Sequence, residues 1–143
     1  MAGHSAFLTG PAGTGKTHVL KQYIRYLKDH EVPVAITAST GIAAAHMDGR
    51  TIHSWSGIGV RKDLTKKELR SLSLNEPTRD RIAGAKVLII DEISMLEARV
   101  FSLLDAVCRA VRKSKKPFGG LQLVVCGDFF QLPPIKVAGA EPA

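Results

Sequence analysis

The sequence predicts an α/β fold: an open, mostly parallel sheet with helices on both faces. Three observations point there. Four short apolar runs, Ala6 to Leu8, Pro33 to Ala38, Val87 to Ile90 and Leu121 to Cys126, have strand length and alternate with segments of helical periodicity. Between the first run and the first helical segment lies GPAGTGKT, residues 10–17, a glycine-rich loop in a strand–loop–helix context. The later runs end in polar residues, at Ser39-Thr40, Asp91-Glu92 and Asp128 to Gln131. Ligands of such sheets bind beyond the carboxyl ends of the strands, so these three ends are expected to gather around the loop.

The loop carries the firmest chemical reading. Gly10, four free positions, Gly15, Lys16 and Thr17 complete the phosphate-loop pattern. Gly10, Gly13 and Gly15 permit backbone torsions closed to other residues and let amides approach a phosphate closely. With Pro11, Ala12 and Thr14 between them, and the positive end of a helix behind, they form an anion cradle. Lys16 adds a mobile charge for the outer phosphates, and Thr17 a hydroxyl for magnesium. The ligand expected here is a nucleoside triphosphate with its magnesium.

The first helix is expected from Thr17 to about Asp29, with Leu20, Tyr23, Ile24 and Leu27 on its buried face. Pro33 to Ala38 is nearly all apolar and is expected to be buried on both faces. Ser39 to Ala45 reads as a polar turn opening a short alanine-rich helix, and Thr51 to Gly59 as a short helix ended by glycine. Between Val60 and Ala85 apolar residues thin out and seven Lys or Arg side chains, among them Arg61, Lys62, Lys66, Lys67 and Arg81, crowd in. Thr65 with Glu68 spells a capping box, and Pro77 marks a break before a further helical turn. This segment reads as a basic insertion rather than a core layer: a solvated charged face or a polyanion contact. Val87 to Ile90 leads into Asp91, a magnesium ligand, and Glu92, placed to orient and deprotonate the water that attacks the γ-phosphate. Ser94 and Glu97 spell a second capping box, opening a helix with Leu96, Val100, Leu103, Leu104, Val107 and Val111 on its core face. After the last strand, Gln131 is a neutral group for the γ-phosphate or the attacking water. Asp128 either supports the magnesium shell or caps the turn.

The composition sets bounds. The chain has 143 residues, enough for one domain with a core, and a formal charge of +7, which favours a polyanionic partner. Its two cysteines, Cys108 and Cys126, sit in apolar patterns and read as buried free thiols in a reducing compartment. No apolar run reaches membrane-spanning length, and no secretory signal is visible. An intracellular protein is expected, cytoplasmic in a bacterium, nuclear or mitochondrial in a eukaryote.

Five segments, GPAGTGKT, TASTGIAA, TIHSWSGIG, LIIDEISML and GDFFQLPP, in this order, resemble the first motor domain of the Pif-type DNA helicases, RecD-like members of superfamily 1B. The resemblance covers residues 7 to 135, and residues 1–143 are expected to form one RecA-like domain with its basic insertion at about 60–85. It implies ATP-driven, 5′-to-3′ translocation on single-stranded DNA and unwinding of forked or structured DNA. Lys16, Thr17, Asp91, Glu92 and Gln131 would form the ATPase centre, with Lys16, Glu92 and Gln131 in catalysis and Thr17 and Asp91 on magnesium. Thr37, Ser39, Thr40 and Gly41 would lie against the DNA backbone, since small hydroxyls and a helix start suit phosphate oxygens. Ser39 and Thr40 end a different strand from the one feeding the loop, so they are expected to act on DNA without affecting nucleotide. His53 would be another DNA contact, although alone it reads as a structural hydrogen-bonder. Trp55 reads as core rather than as a base-stacking ring. The family's adenine-reading glutamine motif and its second RecA-like domain, with the arginine finger, are expected to lie outside this chain. A monomer with weak activity or none is therefore expected. Two other readings stand beside it: a different phosphate-loop ATPase such as a AAA+ loader or recombinase, in which neither TASTGIAA nor TIHSWSG is expected, and a nucleotide-dependent DNA-binding module without turnover, the behaviour open to a fragment.

Overall fold

The computed structural model describes residues 5–9 and 15–127, and its centre is a five-stranded sheet in which every pairing is parallel. The strands are β1 (Ala6–Thr9), β2 (Val34–Ala38), β3 (Arg50–Thr51), β4 (Val87–Asp91) and β5 (Gln122–Gly127), in the order β1-β5-β4-β2-β3. Strand β4 is flanked on both sides, and Leu88, Ile89 and Ile90 are fully buried. Successive side chains alternate between two cores, as the pleat requires: Leu88, Ile90, Leu123 and Val125 face one layer, and Val87, Ile89, Val124 and Cys126 the other.

One layer is α1 (Lys16–Asp29), which buries Leu20, Ile24 and Leu27 against the sheet, as the periodicity predicts. The opposite layer holds α3 (Ile52–Ser56), α4 (Lys66–Leu74), α5 (Glu76–Gly84) and α6 (Ala98–Arg112). The short α2 (Gly41–His46) follows β2. Trp55 is buried in the larger core, as expected.

Four expectations need correction. First, α4 and α5 are packed into the core: Leu72 and Ile82 are buried there, with Leu64 and Leu69 against them. A segment sparse in apolar residues still contributes a layer because four of its large ones, Leu64, Leu69, Leu72 and Ile82, face the core, while Val60 and Leu74 stay exposed. Second, Pro77 does not break a helix but lies in the first turn of α5, where its missing N–H has no helical partner to lose. The break falls at Asn75, which ends α4 and caps α5 through a bond from the Thr78 N–H to its side chain (3.2 Å). Third, Ser94 and Glu97 form no capping box. Residues Ile93–Met95 make a 3₁₀ turn, and α6 starts only at Ala98, with no side-chain cap at Glu97. Fourth, β2 is only half-buried over Val34 to Ile36, because its outer neighbour β3 pairs with Thr37 and Ala38 alone.

Arg112 ties these layers together. Its Nε donates to the Gly119 carbonyl (2.8 Å), and its Nη1 reaches the carbonyls of Ile82 (3.0 Å), Ala83 (3.3 Å) and Ala85 (2.8 Å) at the end of α5. Asp105, fully buried on α6, accepts from Arg109 Nε (2.9 Å) and from the Phe118 N–H (2.6 Å).

Candidate nucleotide site

An open cleft of about 810 Å³ lies at the carboxyl ends of β2, β4 and β5, where α1 begins. Gly15, Lys16 and Thr17 form one side of it, and Thr40 and Ala43 another. Asp91 and Glu92 line it from the end of β4, and Cys126 and Gly127 from the end of β5. Two of the three polar strand ends thus meet at the start of α1. Gly10, Pro11, Ala12, Gly13, Thr14, Asp128 and Gln131 lie outside the described residues.

The start of α1 is built to receive an anion. Gly15 has φ of 86°, a left-handed conformation open to glycine, and it turns the chain directly into the helix. Among the described residues no side chain caps the helix, and its first turn holds no acid, which leaves the leading N–H groups open to a ligand. Lys16 is half-buried beside them and Thr17 is exposed.

The acidic turn opposite is held rigidly. Glu92 is exposed and takes a left-handed backbone, with φ of 56° and ψ of 44°. Such a conformation is uncommon outside glycine and persists where neighbours fix it. Here the Glu92 N–H donates to Asp91 Oδ1 (2.9 Å), while the Glu92 carbonyl accepts from the Met95 N–H (3.0 Å) and from Ser39 Oγ. Gly127 completes the turn by lacking a side chain: a Cβ there would meet Ile93 Cγ2 at 2.8 Å. Beneath the turn, burial first and then the Asp91 carboxylate push the Cys126 thiol up to about 12. Cys126 is therefore a neutral, buried floor to the cleft, and both cysteines are free and buried, as expected.

Among the described residues no group of three or more His, Cys, Asp or Glu side chains is arranged to hold a metal. Among the oxygen donors that line the cleft are the Thr17 hydroxyl and the Asp91 carboxylate, one oxygen of which is already engaged by a backbone N–H. That set suits magnesium, which keeps waters and shares itself between one or two protein oxygens and substrate phosphates.

The residues assigned to DNA behave differently. Thr37 is fully buried and its hydroxyl donates to the Ile89 carbonyl (2.7 Å), so its side chain is a core group and not a backbone-phosphate contact. The reason is register: Thr37 pairs with Ile90 in the middle of the sheet. Ser39 is buried too, and its hydroxyl is spent on Glu92. Thr40 caps α2, accepting from the Ala43 N–H (3.2 Å), and Gly41 is exposed at the first position of that helix. His53 sits half-buried on α3 and does not line the cleft. Of the basic segment, Arg81 is structural: it donates to the carbonyls of Trp55 and Ser54 (both 3.3 Å), whereas Lys62, Lys66 and Lys67 are exposed.

Sequence reasoning missed several cleft residues, including His18, Ile42, His46, Met95 and Cys126. Cys126 was findable, since it ends a strand on the ligand side of the sheet. The histidines follow the loop and α2 without any pattern of their own.

The sequence matches the PIF1-like helicase family over residues 1–143. The chain belongs to that family. It is 56% identical to the ATP-dependent DNA helicase Pif1 of Psychrobacter sp. (strain PRwf-1), over 96% of this chain and 21% of that protein. Among solved structures, a Pif1 helicase from Candida albicans superposes with a TM-score of 0.84 at 42% identity, covering 94% of this chain and 31% of that one. A Bacteroides Pif1 helicase in complex with ADP-AlF3 and single-stranded DNA gives a TM-score of 0.69 at 33% identity, over 95% of this chain and 31% of that one. The chain spans about a fifth of the length of the curated relative it matches. The PIF1-like chain thus has the α/β, all-parallel architecture of the RecA-like motor region in its relatives.

Proposed function

We propose that this PIF1-like chain is the nucleotide-binding motor domain of an ATP-dependent, 5′-to-3′ DNA helicase. One observation carries the reading: the open N-terminus of α1, with Lys16 and Thr17, faces the Asp91-Glu92 turn across a single cleft. The fit to a nucleoside triphosphate follows from charge. The helix start and Lys16 supply positive potential for phosphates, and Asp91 and Thr17 supply hard oxygens for the magnesium that accompanies them. Magnesium, when bound, neutralises charge as the phosphates separate. Glu92, solvent-facing and rigidly mounted, accepts the proton of the attacking water, and Lys16 stabilises charge on the outer phosphate oxygens. Gln131, outside the described residues, is assigned to the γ-phosphate or that water from its place after the last strand and from the resemblance. Single-stranded DNA is the polyanion that the formal charge of +7 favours, with Thr40, Gly41 and His53 and the exposed lysines of α4 as the side chains or backbone best placed to meet it.

Calorimetry tests the core of this reading. Mg-ATP should bind the full chain, and Lys16→Ala should weaken that binding at least tenfold while the melting temperature holds. If Lys16→Ala binds as tightly as the parent, the phosphates sit elsewhere. Hydrolysis measured with and without single-stranded DNA separates a motor from a binding module without turnover.

A further inference from the structure

Two hydroxyls two residues apart on the same face of the β2 end both donate to main-chain carbonyls of the acidic segment. Thr37 Oγ1 reaches the carbonyl of Ile89, inside β4, and Ser39 Oγ reaches that of Glu92, just past its end. The Ser39 N–H also donates to the Asp91 carbonyl (3.1 Å). Ser39 therefore contacts the acidic pair twice, and it is buried.

We propose that Ser39 is a positioning residue for hydrolysis, whose hydroxyl fixes the left-handed backbone of Glu92 and so aims its carboxylate at the attacking water. The inference rests on the assignment of Glu92 as general base. The argument is one of constraint. A glutamate at φ of 56° would relax toward the common helical or extended regions if its neighbours allowed it. Rotation about either bond of Glu92 moves its carbonyl, and the carbonyl is held from two directions, by Met95 N–H within the 3₁₀ turn and by Ser39 Oγ from another strand. The Met95 bond is local and moves with the turn. Among the described residues, the Ser39 hydroxyl is the group that ties the Glu92 carbonyl itself to the sheet. Removing that hydroxyl leaves the nucleotide contacts of Lys16 and Thr17 in place and loosens the base, a defect in rate rather than in binding.

Single-turnover ATP hydrolysis by the full chain, with protein in excess so that slow turnover is visible and with no DNA present, tests this. Ser39→Ala should lower the rate constant about tenfold, the effect of one lost hydrogen bond acting on the transition state, with the Mg-ATP dissociation constant unchanged within twofold. Ser39→Thr, which keeps the hydroxyl, should recover most of the rate. In a Glu92→Gln background Ser39→Ala should cost nothing further, because the group it positions is gone. Ser39→Cys, similar in size and a weak donor, carries the same test if the alanine variant fails to fold. An unchanged rate in both variants, or a loss that persists at full size in the Glu92→Gln background, overturns the proposal while leaving the assignment of Glu92 intact. If Glu92→Gln hydrolyses ATP as fast as the parent, the assignment of the base falls and this proposal with it.

Discussion

Thr37 offers the sharpest test of whether small hydroxyls in this segment serve DNA or the fold. Replacing it by valine keeps the shape and removes the hydroxyl. In the structure that hydroxyl is fully buried and donates to the Ile89 carbonyl at 2.7 Å. Losing a buried neutral hydrogen bond, with the acceptor left poorly satisfied, costs about 1–2 kcal/mol, part of which the added methyl offsets. For a domain of this size that corresponds to a fall in melting temperature of about 3–7 °C. Thr37→Ser, which keeps the hydroxyl and loses a methyl, should cost about 1 kcal/mol by a different route. Neither variant should touch DNA. A phosphate contact on a single strand contributes about −0.7 to the slope of log affinity against log salt, and that slope should be the same for parent and variants in a fluorescence-anisotropy titration. A Thr37→Val protein that melts with the parent yet binds single-stranded DNA tenfold more weakly, with a shallower salt slope, refutes the core assignment.

Two further outcomes follow from the layers and from the floor of the cleft. Arg112→Met removes a guanidinium that serves four carbonyls across α5 and the turn before β5, and should cost about 3 kcal/mol in urea unfolding, with protease cutting appearing first between residues 60 and 85. Burial and Asp91 raise the Cys126 thiol from its ordinary 9.0 to about 12, so the folded state keeps its proton where the unfolded chain has lost it. That contribution is complete below pH 9 and is lost as pH rises from 9 toward 12, at up to about 1.4 kcal/mol per pH unit. Cys126→Ala should therefore flatten the alkaline fall in unfolding midpoint, whatever it does to the midpoint at pH 8; an unaltered slope would mean that this thiol does not titrate abnormally.

What could be read from the chain divides by the range of the interactions involved. The apolar runs that become strands, the start of α1 and the capping box at Thr65 and Glu68 depend on neighbours within a few residues, and the structure shows both halves of that box, at 3.0 and 3.1 Å. The Ser94 and Glu97 pair has the same spelling and no box, because the preceding acid takes a left-handed turn and a 3₁₀ segment intervenes. Nothing local distinguishes the two. The burial of Thr37 and Ser39 was illegible for a related reason: their acceptors lie 52 and 53 residues away, and only the strand order brings them together. The basic segment misled through composition. Its charge is on the outside, but Leu72 and Ile82 decide where its helices go.

These long-range bonds change what a substitution at the end of β2 would report. Replacing Ser39 and Thr40 together by alanine is expected from sequence alone to weaken DNA binding and spare nucleotide, since β2 does not feed the loop. The structure argues otherwise. Ser39 holds Glu92, and Thr40 both lines the cleft and caps α2. The double variant should lose about 1 kcal/mol for the cap and about 1 kcal/mol for the buried bond. Its hydrolysis should fall as well, so weaker DNA binding in that protein would not by itself place either residue on DNA. The single variants separate the effects: Thr40→Ala should carry the stability lost with the helix cap, and Ser39→Ala most of the loss in rate. A double variant with parental melting and parental hydrolysis, but weakened DNA binding at every sequence tested, would show that both hydroxyls face the strand after all, and the inward bonds described above would have to be abandoned.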